Sequence, residues 1–487
     1  MPTLTLPRPP RPESSFEYVE GWGMAVGAHA KVLRPRSVEE VQQCFELARR
    51  DRKSIALRGG GNSYGDASVN EQGYVLDVSR MDRVLAFDPQ TGVATLEPGV
   101  TIEKLWKTIL PLGFWPRVVS GTMFPTIAGA LAANIHGKNN FTVGTIGDAC
   151  LEFDLVLPNG EHRVCNRQHH ADLFHAAIGG FGLLGCFTRI VLQTKRVHSG
   201  NVRVRGVSTR NLREMMGYME AQRSRADYLV GWIDCFPGGD ASGRGLIHHA
   251  DNLKPGEDPR PSESLRVAHQ ELPANLFGVF PKSQVWRILR LFNTDLGMRA
   301  INAAKYVAGQ LEGMGEPYLQ SHAGFSFLLD YVPNWKWAYG RERGERGLIQ
   351  YQPFVPHAVA HDVHLELLAR CRRAGQVPYL GVFKRHRPDP FWLTHAVDGW
   401  SFALDFKVDP SRRAELWKLC DELTEVVIAA GGRFYFAKDL VVAAEDTARF
   451  LPHDRLAAFA ALKRECDPET LLEGNLYRRA FRDWIVQ

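Results

Sequence analysis

The sequence predicts an α+β protein of two domains, and three observations carry that reading. At 487 residues, with 45% hydrophobic and 23% charged side chains, the chain is globular in character and too long for one ordinary core. Residues 30 to about 197 read as strands and helices punctuated by glycine-rich loops. From residue 198 to about 432 strand and helix alternate in a way that suits an antiparallel sheet covered on one side by helices.

Taken in order, Ser37 to Arg50 reads as a helix with Val41, Phe45 and Leu47 as apolar positions, and Ser54 to Leu57 as a short strand. Arg58-Gly-Gly-Gly-Asn-Ser-Tyr-Gly-Asp66 follows, and then a second strand, Tyr74 to Val78. Three consecutive glycines let backbone N–H groups approach an anionic group without Cβ obstruction; the alternative is a tight surface turn. Arg83 to Gly99 reads as strand, turn at Pro89 to Gly92, and strand. Val100 to Leu110 reads as a helix capped by Thr101. Thr126 to Asn139 is rich in small residues, so its backbone can lie close to something large and flat.

The second region opens with a strand at Asn201 to Val207, a helix at Asn211 to Arg223 and a strand at Tyr228 to Cys235. The polar, proline-rich stretch Asn252 to Ser264 predicts a mobile loop. Gln284 to Asn293 and Gly297 to Gln310 read as helices, and Arg341 to Gly347 as a charged turn. Leu348 to Val355 reads as a strand, His361 to Arg373 as a helix, Tyr379 to Lys384 and Phe402 to Val408 as strands, and Arg412 to Ala430 as a helix. Gly432 to Ala437 reads as an apolar strand.

Composition excludes several functions. A net charge of +5 with no basic block argues against nucleic-acid binding. No apolar run reaches the roughly 20 residues that span a bilayer, and proline-rich Met1 to Ser15 lacks the apolar centre of a signal peptide. Eight scattered cysteines without a C-x-x-C pair suit reduced thiols in a cytoplasmic protein and suggest no metal site. The pairs His169-His170 and His248-His249 read as surface histidines. Gly180-Phe-Gly-Leu-Leu-Gly185 matches the G-x-G-x-x-G pattern of nicotinamide dinucleotide folds. That motif needs a strand before it and a helix after it, and here Asp172 to Ile178 reads as the helix and Phe187 to Thr194 as the strand.

The order of the glycine loop, Ser120-Gly-Thr122 and Thr126 to Asn139 resembles the FAD-binding domain of the vanillyl-alcohol oxidase and p-cresol methylhydroxylase (PCMH) type, over residues 30 to about 197. Further matches narrow it: Ile135-His-Gly-Lys-Asn139, Gln350-Tyr-Gln352, Val382-Phe-Lys384, Trp400-x-x-x-x-Asp-Phe406 and Phe434-Tyr-Phe-Ala-Lys-Asp439. These are similar, in register, to the branch of flavoproteins that oxidise decaprenylphosphoryl-β-D-ribose at its 2′-hydroxyl. The resemblance implies an FAD-binding domain over 1–197, a substrate or cap domain over 198–432, and a segment over 433–487 that returns to the FAD domain. It implies oxidation of a sugar secondary hydroxyl to a ketone by hydride transfer to flavin N5, on a prenylphosphoryl ribose-like substrate, as one half of a 2′-epimerisation in making cell wall arabinan. The implied partners are the lipid-linked sugar, an NAD(P)H-dependent reductase and a peripheral membrane contact, with an acceptor other than oxygen. The alternatives are an aldonolactone or alditol oxidase acting on a free sugar with oxygen, and a flavin fold reduced to a scaffold.

Carried over residue by residue, the resemblance assigns to the cofactor Arg58, Gly59, Gly60, Gly61, Asn62, Ser63, Tyr64, Gly65, Gly121, Thr122, Thr126, Ile127, Ala128, Gly129, His136, Asn139, Cys186 and Tyr435. It assigns to the substrate Lys138, Gln350, Gln352, Lys384, Ser401 and Lys438, and to catalysis Lys438, Tyr64 and His136. Many relatives attach the flavin covalently through a histidine after the third glycine; Asn62 stands there, so a non-covalent, dissociable FAD is expected. Mycobacterial relatives carry a cysteine three residues after the tryptophan, where this chain has Ala403.

The residues speak for themselves as well. A lysine after an apolar strand is costly unless its charge has a partner. Lys438 therefore reads either as the group that steadies negative charge on a substrate oxygen or as an ion-pair partner of Asp439. Strand alternation would set Tyr435 and Lys438 on opposite faces unless the strand is bulged, while the resemblance places Tyr435 by the flavin. Gln350 and Gln352 alternate, so both face one side of a sheet with donors and acceptors suited to a polyhydroxylated ligand. For Tyr64 the alternative is a packed aromatic with its hydroxyl satisfied, and for His136 a hydrogen-bonded structural histidine.

Overall fold

The computed structural model describes residues 12–276, 279–312, 316–340 and 346–485. The α+β architecture is as expected. The first two hundred residues give a two-stranded ladder of Phe114–Trp115 with Lys195–Arg196 and two small sheets. One has four strands in the order Glu13–Glu20, Gly27–Arg34, Tyr74–Asp77, Ile55–Arg58, its last two pairings parallel. The other is antiparallel, in the order Val84–Asp88, Val93–Leu96, Cys186–Gln193, Cys150–Val156, His162–Asn166. Helix Val38–Arg50 packs one face inward, with Val41, Cys44, Phe45 and Ala48 buried at helical spacing. Leu47 lies at the edge of that face. Ser37 caps it, and Thr101 caps Ile102–Ile109 by accepting from Lys104 N at 3.0 Å.

A nine-stranded antiparallel sheet fills the middle of the chain. Its order is Tyr318–Ser321, Asn201–Thr209, Gly245–Asn252, Tyr228–Ile233, Leu380–His386, Gly399–Val408, Pro353–Pro356, Arg433–Phe434, with Gly347–Tyr351 also paired to Gly399–Val408. Helices Leu212–Gln222, His357–Arg373 and Arg413–Ala429 cover one face; Asp295–Glu312 lies against its far end. Alternation then decides what faces where. In Gly399–Val408, Trp400, Phe402 and Phe406 enter the core, while Ser401, Ala403 and Asp405 lie on the other side. After Phe434 the chain returns to the glycine loop: Tyr64 N donates to Ala437 O at 2.9 Å, Ile55 N to Leu471 O at 2.7 Å, and Arg479 grips Asp66.

Several expectations are corrected. The Gly432 to Ala437 strand is only Arg433–Phe434, because the chain then turns, with Lys438 N donating to Tyr435 O at 2.9 Å. The turn sets Tyr435 and Lys438 three residues apart on one wall instead of on opposite faces. Leu348 to Val355 splits into Gly347–Tyr351 and Pro353–Pro356, since Pro353 interrupts it. The Asn252 to Ser264 loop is anchored: buried Asp258 accepts from Ser199 and Ser264. His248 and His249 are not surface residues, because their strand lies inside the large sheet. One side chain faces a cavity, and the other packs under a helix, 2.9 Å from the Tyr218 hydroxyl. Residues 1–11, and residues 341–345 of the charged turn, lie outside the described residues. All eight cysteines are buried and free, and among the described residues no helix is long and apolar enough to cross a membrane and no cluster could hold a metal.

Candidate active site

A cavity of about 370 Å³ runs from the glycine loop to the inner face of the large sheet. Its first part is built of backbone. A Cβ on Gly59 would stand 2.1 Å from Thr126 Oγ1, and one on Gly60 2.6 Å from the Phe124 carbonyl oxygen. Gly61 has φ +65°. Only glycine lets this loop pass through so narrow a slot and remain at the cavity wall. Arg58, Asn62, Ser63, Gly121, Thr122, Thr126, Ala128, Gly129 and Cys186 line the same part. The turn Phe181-Gly182 of the false dinucleotide motif also lines it, between helix Ala171–Ala177 and strand Cys186–Gln193. Arg58 is tied to Glu20 O at 3.2 Å and Ser68 Oγ at 3.0 Å. A long apolar-walled slot floored by glycines fits a large planar cofactor with an anionic tail.

At the sheet end, Lys438, Tyr64, Gln350 and Asp405 meet. The Lys438 ammonium lies 4.0 Å from the Tyr64 ring centroid. Gln350 Nε2 donates to Asp405 Oδ1 at 2.5 Å, while buried Asp405 Oδ2 and the Tyr64 hydroxyl have no hydrogen-bond partner among the described residues. Asp439 is not the lysine's partner: it accepts from Arg479 at 2.7 Å and from the N–H groups of Val441 and Val442. The carboxylate that acts on the lysine is Asp405, from strand Gly399–Val408. Burial drives the Lys438 ammonium below its ordinary range, and Asp405 opposes that shift. Burial likewise raises the Asp405 carboxyl.

A series of cationic groups continues along the wall. Burial lowers Lys384 to about 8 and Lys305 to about 8, and lowers Lys138 well below the usual lysine range. Lys138 donates to Phe325 O, and Lys305 lies 4.4 Å from the Trp232 ring centroid. Burial also lowers His248 to about 4, with Lys138 and Lys305 adding to the effect. No carboxylate lines the cavity among the described residues. His136 stands between Gln352, at 3.2 Å from its Nε2, and Lys384, at 3.5 Å from its Nδ1. Burial holds its ring neutral, well below the ordinary histidine range.

Four residues assigned from sequence lie outside the cavity lining. Gly65 packs its Cα against the Asp439 carbonyl, Ile127 enters the core, Asn139 binds the Arg117 carbonyl at 2.9 Å, and Ser401 lies behind Gln352. Gly65, Ile127 and Asn139 each stand beside a residue that lines the cavity but turn away from it, and Ser401, on the same sheet face as Ala403, is covered by Gln352. Sequence reading quoted Asp405 only within the Trp400 to Phe406 match and gave it no role, read His248 as a surface residue, and missed Lys305, Trp232 and the buried His386 and His395. An acid within the apolar run Trp400 to Phe406 was the available signal for Asp405.

Comparison with known proteins agrees with this geometry. Residues 29–166 match the family model of an FAD binding domain. The chain is 27% identical to the decaprenylphosphoryl-β-D-ribose oxidase of Mycolicibacterium smegmatis over 94% of this chain and 96% of that protein. It is 29% identical to an uncharacterised protein of Streptomyces coelicolor over 78% of this chain and 99% of the relative. The L-gulonolactone oxidase of Bos taurus is 26% identical over 36% of this chain and 39% of its own. With the glycine slot, the cavity and these matches, the chain is an FAD-dependent oxidoreductase of the PCMH type.

Proposed function

We propose that this enzyme oxidises a secondary hydroxyl of a phosphate-bearing sugar to a ketone, on a polyprenylphosphoryl ribose-like substrate, as one half of a 2′-epimerisation. The observation that carries this reading is the row of Lys438, Lys384, Lys138 and Lys305 on a cavity wall without carboxylates. Buried ammonium groups attract an anion strongly because little water screens them. The bound FAD supplies the two-electron acceptor. Lys438 donates to the hydroxyl oxygen and steadies the negative charge that grows there. Gln350 and Gln352 orient the remaining hydroxyls, and Lys138, with Lys305, holds the phosphate. Asn62 offers no nucleophile for covalent attachment, so the FAD is non-covalent. The putative D-arabinono-1,4-lactone oxidase of Neurospora crassa and the L-gulonolactone oxidase of Bos taurus match only about a third of the chain.

The same reading includes a reductase that uses NAD(P)H on the ketone, and peripheral contact with a lipid surface on the cytoplasmic side. Supporting that contact, helix Asp295–Glu312 turns Lys305 toward the cavity and leaves Leu296 80% and Leu311 65% exposed on its other side. The deciding experiment is anaerobic mixing of the purified enzyme with prenylphosphoryl ribose, ribose phosphate and free ribose or lactones. Rapid bleaching of flavin absorbance by the phosphorylated sugars alone is expected. Bleaching only by unphosphorylated sugars or lactones would overturn the reading.

A further inference from the structure

The corner where Tyr64 meets Lys438 is joined by little backbone. Among the described residues one backbone hydrogen bond links the glycine loop to the turn after Phe434, from Tyr64 N to Ala437 O at 2.9 Å. Beside it the two chains touch: a Cβ on Gly65 would stand 2.2 Å from the Asp439 carbonyl oxygen. A single hydrogen bond next to a contact is a pivot. It leaves open the angle between the two segments, and with it the distance from the Tyr64 ring to the Lys438 ammonium.

The second attachment is a side chain. Arg479 stands on helix Asn475–Ala480, whose Leu476, Tyr477 and Ala480 are buried, so its stem has a fixed origin. Its Nε and Nη2 donate to the two carboxylate oxygens of Asp66 at 2.8 and 2.9 Å, and its Nη1 donates to Asp439 Oδ2 at 2.7 Å. Nη1 also donates to the Val442 carbonyl. Asp66 comes two residues after Tyr64, and Asp439 directly after Lys438. Both carboxylates are 3% exposed, where little water screens a charge or competes for a hydrogen bond. Asp439 Oδ1 accepts from the N–H groups of Val441 and Val442 at 2.9 and 3.1 Å, so the carboxylate that meets Arg479 also shapes the turn.

We propose that Arg479 is a positioning residue: its planar fork, with Asp66 on one edge and Asp439 on another, sets the Tyr64 ring and the Lys438 ammonium in their relative places. Lysine carries the same charge but presents its donors from one point, so it cannot hold two carboxylates in a plane. The fork also occupies Asp439, which leaves Asp405 as the carboxylate that acts on Lys438. The catalytic consequence rests on the part given to Lys438 in the function proposed above; the geometry does not.

The test uses the full flavin-loaded enzyme labelled with ¹³C-lysine. With Nζ 4.0 Å from the Tyr64 ring centroid, the Lys438 Cε protons lie within the ring current and should resonate upfield. Lys438→Ala identifies that signal, and Tyr64→Leu should abolish its upfield shift. Arg479→Lys should lose most of the shift although the charge is kept. Asp66→Asn, which leaves the fork one carboxylate oxygen short, should lose part of it, and it serves where Arg479→Lys does not fold. In stopped-flow reduction by prenylphosphoryl ribose, Arg479→Lys should be about tenfold slower, as misplacement of a reacting group produces. Combined with Lys438→Ala, its loss should fall well short of the product of the two single losses, because little is left to position. Where that sugar does not bleach the flavin, the ring shift decides alone. A shift unchanged in both Arg479→Lys and Asp66→Asn overturns the proposal, even if those variants melt earlier. So does a double variant whose rate falls by the full product. A lost shift with an unchanged reduction rate supports the proposal and counts against the part given to Lys438 in sugar oxidation.

Discussion

The ammonium of Lys438 lies 4.0 Å from the centroid of the Tyr64 ring, and backbone hydrogen bonds fix both partners. Tyr64 N donates to Ala437 O, and Lys438 N donates to Tyr435 O. The glycine loop and the C-terminal segment, almost four hundred residues apart in sequence, therefore meet at one rigid corner of the cavity.

From that corner, Lys438→Ala is expected to leave the melting temperature and bound flavin nearly unchanged while slowing flavin reduction about 10²-fold or more. Lys438→Arg should not rescue it, since a planar guanidinium cannot place a compact charge at the same point. Stopped-flow reduction and thermal melting on the same variants decide. A variant that loses stability and flavin but reduces the remaining flavin normally would make Lys438 structural.

Asp405 raises the Lys438 pKa against the effect of burial. Asp405→Asn keeps an acceptor for Gln350 but removes the charge, so Lys438 should lose its proton at lower pH. The alkaline limb of the flavin-reduction profile should move down by about one unit or more. A limb that stays in place would show that the two groups do not interact.

Lys384 and Lys305, each lowered to about 8 by burial, are charged below that pH and neutral above it. Affinity for a phosphorylated sugar should therefore fall as pH rises through about 8, and binding near that pH should take up protons. Calorimetry in buffers of different ionisation heat reads both effects. Equal affinity at pH 7 and pH 9 would contradict this assignment.

Asn62, in the place of the covalent histidine, implies that denaturing precipitation yields a colourless pellet and a yellow supernatant. Gly60→Ala would drive a Cβ to 2.6 Å from a backbone oxygen, so the slot must open. The variant should purify with FAD affinity reduced about tenfold or more, equivalent to about 1.4 kcal/mol, as the clash displaces the loop from the cofactor. Full flavin occupancy in that variant would argue against the glycine slot as the cofactor's seat.

Ala403 lines the cavity opposite Val382 on the neighbouring strand. Cavity-directed electrophiles that capture a thiol should leave the enzyme active, because the cavity-lining thiol among the described residues, Cys186, is pushed up by burial and unreactive. Ala403→Cys should be labelled and inactivated. Mass spectrometry showing adducts on the unaltered protein's Cys186 would refute this.

Local chemistry alone set the helix starts at Ser37 and Thr101, the turn at Pro89 to Gly92 and the rejection of Gly180 to Gly185 as a dinucleotide loop. Each depends on residues within a few positions of one another, through caps, turn preferences and hydrophobic period. The glycine slot was visible for the same reason. Tertiary structure alone decided that Lys438 answers to Asp405 and not to adjacent Asp439, that Tyr435 shares its wall, and that His248 and Lys305 belong to the site. Those pairings join strands far apart in the chain, and their register follows from how nine strands order themselves in one sheet. No local pattern records that order, since it is chosen by which faces can be buried together.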